Sequence, residues 1–502
     1  MPTHADTFQS LCRRFREARL LSSSAELLEW DERTGMPPKA NAYRAEQVSH
    51  LSGLSHRQRT DPVIADELAS LADWEEAADP HSPTGATLRL LQEDFEKESR
   101  VPPALVQKIA SATVRGQGVW DAARKANDYA RFKPMLDEII GLQREFGQCL
   151  AREGQTTYEA LLDQYEPGAR AAPLTEVFRE LRSALVTLLD EIESSGRSMD
   201  EPLLQVGYSV EKQKVLSRRL AEAIGFDFER GRLDETSHPF CTTLGPSDCR
   251  ILTRYHERFL PTSIFGTLHE AGHGMYEQGL PEDWFGLPAG TYASLGIHES
   301  QSRLWENQVG RSLAFWERFH PLMQELFPTQ AKPASAEDWH RCFHRVERSL
   351  VRVEADEATY NLHIIVRFEL EQALIAGDLS TDDLPAAWDD AYESVLGIRS
   401  PTVADGVLQD VHWSAGLFGY FPTYTLGNLV SAQLYEAAEK ALGDLPGAFR
   451  KGDFVGLLSW LRENVHAHGR CYSPDELVER ATGEALTAQP LIKSLRDRYL
   501  AG

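Results

Sequence analysis

The residues best equipped for chemistry are His269-Glu270-Ala271-Gly272-His273. A spacing of 273 − 269 = 4 puts both imidazoles on one helical face, roughly 40° apart at about 100° per residue, so that they can share a metal ion. Glu270 is offset from that pair. It cannot easily join them as a third ligand, but it can reach a metal-activated water and serve as general base. The pattern therefore predicts a zinc hydrolase. Phe265, Leu268, Met275 and Tyr276 supply apolar neighbours at helical spacing, and no proline interrupts between Pro261 and Pro281.

A catalytic zinc takes three protein ligands and keeps one position open for water. The extended pattern H-E-x-x-H-x-x-G-x-x-H fails here, because Tyr276 stands where glycine is needed and Gly279 where histidine is needed. The third ligand must come from a second helix. Ser294 to Ser302 opens the next helical pattern, which runs on through Leu304, Trp305 and Val309. The Gly- and Pro-rich stretch from Gly279 to Gly290 lets the chain reverse and pack that helix on the first. Glu299, at 299 − 273 = 26 residues downstream, is the best-placed carboxylate. His298 competes with it, but points about 100° away.

The elements that must position these groups are almost all helical. Apolar spacings of three and four predict helices from Phe8 to Trp30, Tyr43 to Leu54, Thr87 to Ser99 and Pro103 to Asn127. Further ones run from Phe132 to Arg152, Leu174 to Ser194 and Val210 to Ile224. The exception is 226–255, where Phe226–Glu229, Cys241–Leu244 and Ile251–Tyr255 read as a small antiparallel sheet just before the metal helix. An exposed strand edge there can hold an extended peptide through main-chain hydrogen bonds.

The composition narrows the partners. A net charge of −24 over 502 residues argues against a nucleic-acid groove or an anionic membrane surface. Six cysteines without any C-x-x-C pair read as reduced thiols. No apolar leader and no apolar run of membrane-spanning length is present, so the expected location is the cytoplasm.

Ordered motifs along most of the chain resemble the thermostable carboxypeptidase Taq family of metallocarboxypeptidases. They are Leu28-Glu29-Trp30-Asp31, Met36-Pro37-Pro38, Arg44-Ala45-Glu46-Gln47, His238-Pro239-Phe240 and Asp248-Cys249-Arg250. After the central motif follow His298-Glu299-Ser300-Gln301, Arg352 to Glu357, Gly406 to Trp413 and Gly419 to Tyr424. One departure is Leu252, where the family pattern D-x-R-x-T has threonine; Thr253 is adjacent and faces the other side of the sheet.

The resemblance implies a mainly α fold, a large helical body with a deep substrate groove. It also implies a homodimer, removal of single residues from peptide C-termini, and a metal held by His269, His273 and Glu299. We expect one catalytic domain over 1–502, with residues 1–80, and 27–54 within them, as a helical cover. One Zn²⁺ per subunit is expected, with Co²⁺ or Mn²⁺ possible on the same donors.

An exopeptidase must recognise a terminal carboxylate, for which a guanidinium suits because it pairs bidentately. Arg352 is the first choice, with Arg250 and His412 as alternatives, His238 for the substrate backbone and Tyr420 for the oxyanion. Arg352 and Asp356, at i and i+4, also fit a helix-surface ion pair. Gln301, Gln409, Asp410 and Asp356 are candidates for orienting ligands from behind. His363 reads as a buried, satisfied histidine, Glu369-Leu370-Glu371 as a solvated face, and Trp413, Phe418 and Phe421 as core. The competing functions are an oligopeptidase cutting inside short peptides and an inactive peptide-binding scaffold.

Overall fold

Apolar periodicity resolves into helices close to where it predicts them. The computed structural model describes residues 2–195, 203–204 and 206–500. The helices expected at 87–99, 103–127, 132–152 and 210–224 form as Pro83–Arg100, Pro103–Ala126, Tyr129–Leu150 and Val210–Ile224. Local chemistry sets their ends. Ser82 Oγ accepts from the Gly85 amide at 3.1 Å, and Asp128 accepts from Arg131 at 3.2 Å, each satisfying an orphan donor of a first turn. Asn127 closes the helix between them in the left-handed region, at φ 53°.

Two large apolar cores share one helix. In Pro422–Leu442, Val430, Leu434 and Ala438 pack into a core with the motif helix Pro261–Glu277, while Leu426, Leu429 and Ala432 pack into a core with Glu357–Ala376. The candidate metal ligands come from the first half. Arg352, His412 and Tyr420 come from the loops of the second, so the candidate site lies between the two cores.

Among the described residues the sheet has three strands, β1 (Gly231–Glu235), β2 (Phe240–Gly245) and β3 (Asp248–Thr253), in the order β1-β3-β2. It is mixed, which corrects the antiparallel expectation: β2 and β3 form a hairpin, but β1 pairs with β3 in parallel. Strand propensity is local, whereas the direction of pairing depends on how the chain between β1 and β2 returns. Phe226–Glu229, expected as a strand, precedes β1. Phe226 is instead a buried core residue that packs against Gly274 of the motif helix.

The N-terminal helix His4–Thr34 and its neighbours bury a small core of their own, including Leu11, Ile64, Leu68 and Leu91. Arg44 donates to Asp31 at 2.7 Å and ties Asn41–Arg59 to that helix. The layer docks on the sheet: Arg19 donates to the Thr243 carbonyl of β2 at 2.6 Å, and the Trp30 ring lies 4.3 Å under the Arg250 guanidinium.

The fold also buries neutral histidines. His466 donates from Nε2 to Gln301 Oε1 at 3.0 Å, and burial, with Arg462 helping, pulls it down to about 3. An unfolded histidine takes its proton near pH 6.5, so stability is present above that value. It is lost as pH falls toward about 3, by about 1.4 kcal/mol per pH unit. Chemical denaturation of His466→Gln from about pH 6 to about pH 4 should show a pH slope shallower by about that amount; an unchanged slope would mean that His466 titrates freely in the native protein.

Candidate metal centre

The motif helix starts at Pro261, whose fixed φ and missing N–H suit a first helical position. Ile264, Leu268, Ala271 and Met275, at spacings of four, three and four, are fully buried and hold one face in the core. That leaves His269, Glu270 and His273 to point elsewhere. The second helix, Leu295–Arg303, is capped by Ser294, whose Oγ accepts from the Ile297 amide at 3.0 Å. Glu166, buried in a turn, accepts from Ser294 Oγ at 2.8 Å and from the Gly296 amide at 2.9 Å, pinning the start of the helix that carries Glu299.

Two glycines let backbones approach where any side chain would collide. A Cβ on Gly272 would stand 2.6 Å from the Gln301 carbonyl oxygen, and one on Gly427 would stand 2.3 Å from Glu299 Cγ. Gly272 sets the spacing of the two metal helices. Gly427, on Pro422–Leu442, lets Glu299 lie flat against the helix shared by both cores.

The result is a compact donor set. Glu299 Oε2 stands 3.6 Å from His269 Nε2 and 3.5 Å from His273 Nε2, with the imidazole centroids 4.9 Å apart. Among the described residues, His269, His273 and Glu299 are the group of three whose donor atoms all fall within 4.8 Å, the reach of one ion. His298 turns away as its helical position predicts. Its Nε2 bonds Glu277 at 3.0 Å, and its ring stacks 4.3 Å from that of His273.

Sequence reading missed the shell behind these donors. His269 Nδ1 donates to Glu306 Oε2 at 2.9 Å, which leaves the Nε2 lone pair aimed at Glu299. Arg303 donates from Nε to Glu299 at 2.7 Å and reaches Glu306 at 3.3 Å, and Arg311 also reaches Glu306 at 3.3 Å. Residues 299, 303 and 306 stand at i, i+4 and i+7, one helical face, which was the available signal. The turn Leu304–Val309 is a π-helix, a geometry that recurs at functional sites and that local spacing does not announce.

These contacts set the charge states. Burial alone would raise Glu299, but Arg303 and the two imidazoles outweigh it and hold the carboxyl well below its ordinary range. Burial likewise opposes the ionisation of Glu306, yet Arg303 and His269 bring it down to about 2. Burial pushes Glu270 up to about 7, and its buried Oε2 has no partner. His273 is drawn down to about 3 by burial and by His298, so it is a neutral donor at neutral pH. Ionised Glu299, neutral His273 and a His269 oriented by Glu306 fit a divalent cation, and Glu270 Oε2 stays buried without a hydrogen-bond partner.

The remaining candidates divide. Arg352 lies in a tight turn, Arg352–Glu354, rather than in a helix, so the surface ion pair with Asp356 does not form. It is buried and donates from Nε to Asp410 at 2.9 Å and from Nη1 to the Tyr360 hydroxyl at 3.1 Å. Arg367 shares Asp410 at 2.7 Å, and Gln409 Oε1 accepts from the Arg352 amide at 2.9 Å. His412 Nε2 is 3.3 Å from the Tyr424 hydroxyl, and burial pulls His412 down to about 3. The Tyr420 ring packs 5.1 Å from Tyr165 and 5.5 Å from His412.

Asp356 instead caps Glu357–Ala376, accepting from Ala358 at 2.9 Å and Thr359 at 3.0 Å. Gln301 bonds Ser300 and His466, not a metal donor. Arg250 is spent on Asp248 and Trp30. His238 is exposed between β1 and β2. Leu252 is fully buried, and Thr253, on the opposite sheet face, lies 3.0 Å from where a Cβ on Gly266 of the motif helix would stand. Glu371, expected on a solvated face, is fully buried and accepts from Trp413 at 2.9 Å and from the Gly419 amide at 3.0 Å. His363 is buried as expected but only half satisfied, with Nδ1 against the Tyr392 hydroxyl and Nε2 without a partner; Trp413, Phe418 and Phe421 are core, as expected.

Beside the donor set runs a cleft of about 920 Å³, walled by Phe15 and Arg19 of the N-terminal helix, Cys241 and Thr243 of β2, Tyr292 and His298.

The chain matches the sequence profile of the carboxypeptidase Taq (M32) metallopeptidases over residues 10–499. It is 45% identical to thermostable carboxypeptidase 1 of Thermus thermophilus, over 98% of each chain. It is 38% identical to carboxypeptidase 1 of Bacillus subtilis over 95% of each. The crystal structure of an M32 carboxypeptidase from Deinococcus radiodurans superposes with a TM-score of 0.95 at 41% identity, over 98% of both chains.

Replacing Glu306 by Gln keeps its shape but removes the charge that orients His269. Metal affinity measured by chelator competition should fall about 10–100-fold, and an unchanged affinity would show that His269 needs no support.

Proposed function

The chain belongs to the carboxypeptidase Taq (M32) family of metallopeptidases and is a metal-dependent carboxypeptidase; we propose that it removes single residues, with broad specificity, from free peptide C-termini, with one zinc ion on His269, His273 and Glu299. The observation that carries this reading is the convergence of those three donors with the unpartnered Oε2 of Glu270. When bound, the ion supplies a Lewis acid that acidifies a water and polarises the scissile carbonyl. Cobalt or manganese would suit the same donors.

Glu270 accepts the water's proton at Oε2 and hands it to the leaving amine. Glu306 holds His269 in its Nε2-donor tautomer throughout, and Arg303 keeps Glu299 ionised. Tyr420 donates a hydrogen bond from its phenolic hydroxyl to the oxyanion, keeping its proton.

The terminal carboxylate goes to Arg352. Two guanidiniums, Arg352 and Arg367, share the carboxylate of Asp410 in a buried cluster whose histidine, His412, is neutral, and the excess positive charge is only partly offset by Glu371, which burial pushes up to about 7. A buried unpaired charge is costly, and a substrate carboxylate relieves it. Arg250 lacks that surplus because Asp248 already neutralises it. Upstream residues of the peptide lie along β2, the sheet edge that lines the cleft, with His238 near its head to meet their backbone. Residues 1–80 act as the cover of one catalytic domain. The enzyme works as a homodimer in the cytoplasm, where its six cysteines stay reduced.

Timed digestion of one long unblocked peptide, followed by mass spectrometry, should give a ladder shortened only from its C-terminus and abolished by chelator. The C-terminal amide of the same peptide should react far more slowly. Internal cuts, or equal rates for acid and amide, favour the oligopeptidase. Glu270→Gln should keep its metal and lose about 10²–10⁴ in kcat; full activity in that metal-loaded variant contradicts the proton-transfer role.

A further inference from the structure

Glu371 is a fully buried carboxylate that no step of the reaction uses. Three donors surround it. Oε1 accepts from Trp413 Nε1 at 2.9 Å, and Oε2 accepts from the Gly419 amide at 3.0 Å and from the Tyr158 hydroxyl at 3.1 Å. Burial pushes it up to about 7, against the pull of those donors and of Arg367, one helical turn earlier at 371 − 367 = 4. A buried carboxylate is costly, and what this one holds is specific. Trp413 directly follows His412, and Gly419 directly precedes Tyr420. The two contacts therefore grip the loop between those site residues at both of its ends.

The loop is gripped against a firm support. Gly419 lies in the left-handed region at φ 82°, and a Cβ there would stand 2.7 Å from the Leu162 amide nitrogen, so the loop is pressed on the helix Thr157–Leu162. Tyr158 of that helix is the third donor, and Tyr165, just beyond it, packs its ring 5.1 Å from that of Tyr420. Burial and the charge of Glu299 hold the Tyr420 phenol above its ordinary range, so it keeps its proton beside the metal donors.

We propose that Glu371 is a positioning residue: through Trp413 and Gly419 it fixes the loop that aims the Tyr420 hydroxyl at the oxyanion. This rests on the oxyanion role given to Tyr420 above. Glu371 acts through Tyr420, and its effect is felt in the transition state, where the charge on that oxygen develops. Glutamine cannot replace it. Its amide nitrogen would face either the Gly419 N–H or the Trp413 N–H, donor against donor, and one end of the loop would be released.

The test is a double-mutant cycle on the full-length, metal-loaded enzyme, with KM, and kcat per bound metal, measured for one unblocked peptide. Tyr420→Phe should lower kcat about 10²-fold at near wild-type KM. Glu371→Gln should lower kcat about tenfold or more, also at near wild-type KM, and should add little to Tyr420→Phe, because the group it aims is then already gone. Trp413→Phe removes one donor and spares the carboxylate. Should Glu371→Gln fail to fold, a smaller kcat loss in Trp413→Phe, absent beside Tyr420→Phe, gives the same reading. Wild-type kcat in the folded variant, or an equal loss with and without the Tyr420 hydroxyl, overturns the positioning role and leaves the oxyanion role standing. Full kcat in Tyr420→Phe overturns both. Metal affinity by chelator competition should stay at the wild-type value, and a fall in it would show the substitution acting on the donor set instead, which also overturns the role.

Discussion

A carboxylate kept ionised in the protein interior is the constraint on which the rest of this structure depends. Glu299 is buried, and a buried charge is tolerated only when it is paired and hydrogen-bonded. Arg303 meets one oxygen at 2.7 Å, and the imidazoles of His269 and His273 face the other. Arg303 reaches Glu306 as well, and Glu306 in turn is met by His269 and Arg311. The cluster therefore closes on itself: Glu299 and Glu306 are held ionised and His273 neutral, while against the opposing effect of burial the carboxylates of Glu299 and Glu306 raise His269 above its ordinary value. The cluster proposed to bind the substrate's terminal carboxylate repeats the principle with the opposite sign. Asp410 is outnumbered by Arg352 and Arg367, so this buried cluster carries more guanidinium than the one carboxylate it shares can match.

Geometry follows from the same demand. Donors from two helices converge within 4.8 Å only if the helices nearly touch, which explains glycine at 272 and 427. It also explains why the start of the second helix is fixed by Glu166, a residue far away in the chain. The shared helix Pro422–Leu442 supports Glu299 from one side and belongs to both cores, so the His-His-Glu donor set and the Arg352–Asp410 cluster keep their relative positions.

Much of this was legible in the sequence because it depends on local spacing. The four-residue interval between His269 and His273 specifies a shared face in any helix, and the failed extension at Tyr276 and Gly279 forces the third donor onto another helix. Glu299 then differs from His298 by the rotation of one residue, and the structure separates them accordingly. What escaped depends on pairing at long range. Arg352 finds Asp410, 410 − 352 = 58 residues away, rather than Asp356 at i+4. β1 finds β3 in parallel because of the path between strands, not because of strand composition. Glu371 looks solvated beside Glu369, yet the Trp413 and Gly419 donors draw it inside. Glu306 was within reach of the helical-face argument, but the π turn that carries it has no sequence signature.

The most direct test of the central claim is anomalous diffraction at the zinc edge from crystals of the zinc-loaded protein. The account predicts an ion bonded by His269 Nε2, His273 Nε2 and a Glu299 oxygen, with Glu270 outside bonding distance and His269 Nδ1 still on Glu306. Glu299 turned away from the ion, or Glu270 or Glu306 taking its place as a ligand, would contradict it.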